Sequence, residues 1–117
     1  MNELALQHCS PIKADPSMLK ESDISQLITK LGGWSTSEKK GELRLEKTFK
    51  FKDFNQAVTF TDLVAQEAEN EDHHPAILTE WGKVTVTWWT HRIHGLHQND
   101  FIMAAKTDQL FENISAD

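Results

Sequence analysis

An α+β fold is predicted for this 117-residue chain: a two-layer domain whose four-stranded antiparallel sheet carries three helices on one face. Two observations predict the sheet. Leu43, Leu45, Lys47, Phe49 and Phe51 alternate with Glu42, Arg44, Glu46, Thr48 and Lys50, the period-two pattern of a strand buried on one side. Turn signals at Glu38-Lys39-Lys40-Gly41 and at Gly82 then divide the strands into two hairpins. A third observation, apolar residues at helical spacing before, between and after the hairpins, supplies the covering layer. The order helix-strand-strand-helix-strand-strand-helix is satisfied most economically when all helices pack on the sheet's apolar face.

Residues 1–20 mix polar side chains with Pro11 and Pro16, show no sustained period, and read as an irregular N-terminal arm. The His8-Cys9 pair within it has no second His or Cys at ligand spacing and reads as incidental. Ser22 can cap a first helix in which Ile24, Leu27, Ile28 and Leu31 form one stripe before Gly32-Gly33 stops it. Trp34 stands where the first strand begins. Asp53 caps the main helix, which runs to about Asn70 with Phe54, Ala57, Val58, Thr61, Val64, Ala65 and Ala68 on the face toward the sheet. Phe60 and Leu63 fall at the edge of that stripe or beyond it, which suits either a subunit contact or ordinary imperfect amphipathicity. Pro75 ends the helical stretch and biases His74 toward an extended backbone. In the strand from Lys83 to Thr90, Val84, Val86 and Trp88 share one face; Thr85, Thr87, Trp89 and His91 share the other. After a polar turn, Asp100 can cap a last helix whose apolar residues are Ile102, Met103, Leu110, Phe111 and Ile114.

The length suits one domain spanning 1–117, large enough to bury a core without staples. A formal charge of -6 with scattered Lys and Arg argues against a nucleic-acid surface. No apolar run approaches the roughly twenty residues of a membrane span. The lone Cys9, and a start without a basic, apolar leader, give a soluble, cytoplasmic protein as the expectation.

Chemistry concentrates in Glu69-Asn70-Glu71-Asp72-His73-His74-Pro75, followed by Trp81, His91 and Asp100. Histidine's unperturbed pKa, about 6.5, lets it give and take protons near neutral pH. Three readings stand side by side. His73, His74 and His91 are satisfied structural residues; or His73 or His74 holds a metal with His91, His94 or His97; or the histidines perform metal-free general acid/base catalysis with carboxylates fixing their tautomers. The metal reading lacks an H-E-x-x-H pair and any nearby Cys, and Gly95 breaks a shared helical face for His91, His94 and His97. No nucleophile elbow and no glycine-rich phosphate loop is present.

Glu69-x-x-x-His73-His74-Pro75, Trp81 after five residues, His91 after nine more and Asp100 after eight more resemble the signature of the pterin-4a-carbinolamine dehydratases, bacterial branch. The likeness runs from about Trp34 through the last helix and includes Leu45-Glu46-Lys47 and Gly95-Leu96-His97-Gln98-Asn99-Asp100-Phe101. It implies loss of water from a 4a-hydroxytetrahydropterin to give the quinonoid dihydropterin, without metal or cofactor, in support of phenylalanine hydroxylase. Position by position, it implies that His73 and His91 form the acid/base pair and that His74 holds and polarises the pterin. Glu69 and Asp72 would support the imidazoles, Asp100 and Trp34 would shape the site, Pro75 would fix the corner, and Trp81 would fill space beneath it. Family members associate as dimers or tetramers through strand edges and the main helix. Where animal members carry a Cys two residues after the third histidine, this chain has Ile93. The alternative function is a non-catalytic dimerisation or interaction module that stabilises a hydroxylase or a regulator.

Overall fold

The computed structural model describes residues 3–9 and 19–115. Its elements follow the expected order: α1 (Glu21–Ile28), β1 (Ser35–Lys39), β2 (Glu42–Lys50), α2 (Phe54–Glu71), β3 (Ala76–Glu80), β4 (Lys83–Trp88) and α3 (Gln98–Ser115). Two 3-10 turns, Glu3–Leu6 and His91–Ile93, complete it. All strand pairs are antiparallel, in the order β1-β2-β4-β3, so α2 carries the chain from the β1-β2 hairpin across to an edge strand, β3.

The hairpin at Lys40-Gly41 turns through two left-handed residues, with φ of 55° and 81°. Two positive φ values match the right-handed twist of the flanking strands, which is why a glycine stands at one of them. Pairing Leu45 with Trp88 and Phe49 with Val84 sets the register that puts Leu45, Phe49, Val84, Val86 and Trp88 together in the core. A one-residue slip would turn that whole set outward.

Asp53 caps α2 as expected, its carboxylate accepting from the Gln56 N–H at 2.8 Å. The buried stripe of α2, however, is Ala57, Phe60, Val64 and Ala68, rotated from the expected face. Phe60 is fully buried, its ring 4.9 Å from Phe49 and 5.2 Å from Phe51, so it is core rather than a subunit edge. The cause lies at the end of β2 and just past it: Phe49 and Phe51 offer aromatic edges and faces that a third ring fills better than the smaller residues of the expected stripe. Phe54 and Val58 are left exposed; Leu63 is exposed as well.

Two helix starts and the arm also need correcting. Lys20, not Ser22, occupies the N-cap of α1, with Asp23 accepting from its N–H. Asp100 lies inside the first turn of α3 rather than at its cap. The arm is not irregular throughout: its turn at Glu3–Leu6 buries Leu4, and Lys106 of α3 donates to the Ala5 carbonyl. Pro11 and Pro16 lie outside the described residues.

Candidate active site

The corner that carries His73 is built by local backbone rules. Asp72 takes the left-handed conformation, φ 52°, that closes α2, and Pro75 then forces extension into β3. Between them His73 turns inward and His74 outward. The His73 ring stacks on Trp88, with centroids 5.8 Å and planes 7° apart, and is largely buried.

Its Nε2 lies 2.6 Å from Asp100 Oδ1. A carboxylate only accepts, so Nε2 carries a proton and donates, which in the neutral ring leaves Nδ1 with a lone pair. Asp100 is 0 % exposed, and its other oxygen accepts from the Thr90 hydroxyl at 2.8 Å and from the His97 N–H at 2.9 Å. Three donors on one buried carboxylate hold it, and through it the imidazole, in a single orientation.

His91 directly follows Thr90 in the chain. Beyond β4 the chain makes a bridge from Thr90 to Gly95 and a 3-10 turn that exposes the His91 ring. The indole N–H of Trp89 donates to His91 Nδ1 at 3.2 Å, and the two rings meet edge to face at 4.7 Å. With Nδ1 accepting, the neutral ring carries its proton on Nε2. The Arg44 guanidinium sits 3.9 Å above the Trp89 ring and braces it from β2.

The remaining predicted residues divide. His74 pairs with Glu69 at 2.8 Å on the exposed rim, the support expected of that acid. Asp72 serves as the helix cap, and no imidazole partner is recorded for it among the described residues. Trp34 belongs to the core instead of the site. It packs on Phe49 and donates to Asp108, eight residues beyond Asp100, about 12 Å along α3 at ~1.5 Å per residue. Trp81 does not fill space beneath the histidines: it is 73 % exposed in the β3-β4 turn, at the opposite end of β4 from His91. His94 bonds Glu42 at 2.8 Å and, with Arg44, holds that carboxyl below its usual range. Among the described residues no group of three or more His, Cys, Asp or Glu side chains is arranged to hold a metal.

Sequence reasoning missed Thr90, Trp88 and Trp89. Thr90 directly precedes a signature histidine, and the two tryptophans alternate along one strand; only the fold shows that one stacks on His73 and the other bonds His91.

Residues 17–110 match the family described as pterin 4 alpha carbinolamine dehydratase. The chain is 50% identical over 116 residues, 99% of its length and 100% of the relative's, to a Microcystis aeruginosa (strain NIES-843 / IAM M-2473) protein named as an inferred pterin-4-alpha-carbinolamine dehydratase. Among solved structures, a transcriptional coactivator/pterin dehydratase from Brucella melitensis superposes with a TM-score of 0.72 at 34% identity, covering 80% of this chain and 98% of that one. A pterin dehydratase-like protein identified as a RuBisCO assembly factor in the alpha-carboxysome gives 0.56 at 25% identity, over 67% of this chain and 88% of that one. With both the fold and the full length matched, the chain belongs to the pterin 4 alpha carbinolamine dehydratase family of hydro-lyases.

Proposed function

We propose that this chain dehydrates a 4a-hydroxytetrahydropterin by general acid/base catalysis, with His73 as base and His91 as acid. The observation that carries the assignment is a pair of hydrogen bonds, at opposite nitrogens of the two rings, that call for opposite tautomers. His73 gives its Nε2–H to Asp100 and keeps Nδ1 as an acceptor; His91 accepts at Nδ1 and keeps Nε2–H as a donor. Elimination needs one of each: Nδ1 of His73 takes the proton from the pterin N5, and Nε2–H of His91 protonates the departing 4a hydroxyl. The C4a–O bond breaks, the N5 electron pair forms the new double bond, and water leaves. Asp100 stabilises the imidazolium that forms on His73, and each positioned group contributes roughly 10²- to 10⁴-fold. In this proposal His74, which bonds Glu69, polarises the pterin. Decay of freshly generated 4a-hydroxytetrahydropterin, followed by ultraviolet absorbance with and without protein, tests the proposal. Equal rates sink it.

The same reading includes a homo-oligomer working in the cytoplasm alongside a hydroxylase that produces this substrate, as phenylalanine hydroxylase does. Supporting self-association, edge strand β3 and its turn expose Leu78 and Trp81. Phe54 and Val58 lie on the stripe of α2 that continues to Thr61, which bonds Thr79 of β3. Sedimentation of Leu78→Lys against the native chain checks it; equal masses at every concentration would remove this surface from the account. That apolar surface also favours a second reading, a protein-docking module, in keeping with the coactivator and assembly-factor roles named for the two solved relatives. Partner capture by a His73→Ala/His91→Ala variant without dehydration would separate docking from catalysis.

A further inference from the structure

We propose that His97 is a positioning residue for this site: its neutral ring caps α3 and thereby keeps Asp100 aimed at His73. The inference rests on the acid/base reading above. His97 stands immediately before α3, where the first backbone N–H groups of a helix lack partners. Its Nδ1 accepts from the Asn99 N–H at 3.0 Å. In return, Asp100 Oδ2 accepts from the His97 N–H at 2.9 Å, and the Asp100 N–H reaches the His97 carbonyl at 2.9 Å. This is a variant of the capping box: the acid three residues on reaches back to the cap N–H, while the imidazole takes the second helical N–H in place of the third. Here the acid has a second duty, because its other oxygen grips His73 at 2.6 Å.

The cap works only while Nδ1 is unprotonated. A protonated ring would present a donor to the Asn99 N–H, lose that bond, and free the turn that carries Asp100. Two charged or titratable groups face the ring. The Asp100 carboxylate, on α3, favours its protonation; His73, at the α2-β3 corner, opposes it, and burial opposes it most, so its pKa is lowered. Once the freed turn also draws the His97 N–H off Oδ2, Thr90 is left holding that oxygen, and the carboxylate can swing away from the imidazole.

The test uses the full chain with His97→Ala, His97→Ser and His97→Asn. His97→Ala is expected to lower kcat about tenfold at nearly unchanged KM, since a small misplacement of a catalytic group is costly. It should also broaden the downfield proton NMR signal of the His73 N–H bonded to Asp100. His97→Ser and His97→Asn, whose side-chain oxygens accept at the same place, restore both. In the native chain the signal fades as pH falls below histidine's usual range and His97 protonates, whereas in His97→Ser it persists to lower pH. An unchanged His73 signal and kcat in folded His97→Ala would falsify the proposal, and so would a His97→Ser variant as impaired as His97→Ala. Should His97→Ala not fold, His97→Ser decides alone: the native pH dependence of the signal overturns the proposal, a shift to lower pH upholds it. A native chain without dehydratase activity removes the proposed function, while the His73 signal still judges His97.

Discussion

Asp100 and Asp108 sit on one helix about two turns apart, each a carboxylate accepting from groups on other elements, yet they serve different ends. Asp100 holds His73, Thr90 and the His97 backbone; Asp108 holds the Trp34 indole at 3.0 Å and the Lys47 ammonium at 2.8 Å. The difference lies in the partners. An imidazole that donates through Nε2 still has Nδ1 with which to take a proton. An ammonium and an indole N–H have nothing further to exchange near neutral pH, and Lys47 is also bound to the Gly32 carbonyl. A buried carboxylate is therefore no sign of function by itself; it becomes one when its partner keeps a second titrating atom.

The largest predicted effect breaks the tautomer at the first carboxylate. Asp100→Asn can present an amide N–H to His73 Nε2, which would move the ring proton to Nδ1 and remove the base. Steady-state kcat should fall about 10²- to 10⁴-fold, the range lost when a positioned base or its tautomer is lost. A fall of less than about threefold would show that Asp100 does for His73 no more than Asp108 does for Trp34. His73→Ala and His91→Ala should each cost less than the double variant, because either imidazole can partly substitute for the other.

Next in size is the brace of the Asp100 end by the N-terminal arm. Glu71 accepts from the Cys9 N–H and from the His8 ring, both at 2.7 Å, and Cys9 Sγ rests near the Asn99 carbonyl. Burial, with the Glu71 charge adding to it, pushes the Cys9 thiol up to about 12. At pH 8 its thiolate fraction is then about 10⁻⁴, against roughly a quarter for a free thiol, so iodoacetamide should react very slowly. Glu71→Gln removes an anion and loosens the arm, and should speed alkylation about tenfold or more. Rapid reaction of the native chain would show that the arm does not brace this end.

Much of the frame was legible because its causes are local. The Lys40-Gly41 turn, the Asp53 cap and the Pro75 corner each follow from the backbone preferences of one or two residues. Misreadings came where distant residues decide. Phe60 is core because Phe49 and Phe51 stand opposite it, and no periodicity within α2 can report that. Trp34 is taken by Asp108 from 74 residues away, and Trp81, expected to fill space beneath the site, projects from the β3-β4 turn. At the candidate site, the signature positions pointed to His73, His91 and Asp100, but the hydrogen bonds of the two rings to Asp100 and Trp89 come from the fold. The cap at His97 escaped because serine, threonine, aspartate and asparagine, not histidine, are the residues read as helix caps.

At the second carboxylate the effect should fall on stability and spare catalysis. Asp108→Asn leaves Lys47 without its anion and should cost about 1–2 kcal/mol in urea denaturation, between the values for exposed and buried pairs, with kcat within about twofold. The pH dependence has a definite sign. Burial raises the Asp108 pKa in the folded state, outweighing Lys47 and Trp34, so the folded chain holds that proton longer than the unfolded one. This group's contribution to stability therefore falls as pH rises above about 3.9 and levels off above its folded pKa. The Asn variant should lack that segment of the stability curve. A large loss of kcat would erase the distinction between the two carboxylates.

The smallest effect belongs to His94, and it separates two histidines only three residues apart. His94 adopts a left-handed backbone, φ 54°, and reaches Glu42 at 2.8 Å, but its side chain is 79% exposed. An ion pair in water gains little and is screened by salt. The Glu42 carboxyl is held below its usual range by the His94 bond and then by Arg44, so any support it lends is present above the ordinary carboxylate range and lost as pH falls through its lowered value. Arg44 stays on Glu42 when His94 is removed, at 3.3 Å. His94→Asn, which tolerates the left-handed conformation, should leave kcat, the His73 signal and the thermal midpoint unchanged within error, at low salt and high. A kcat loss matching that of His97→Ala would mean that the whole 90–97 turn, rather than the cap at its end, sets the position of Asp100.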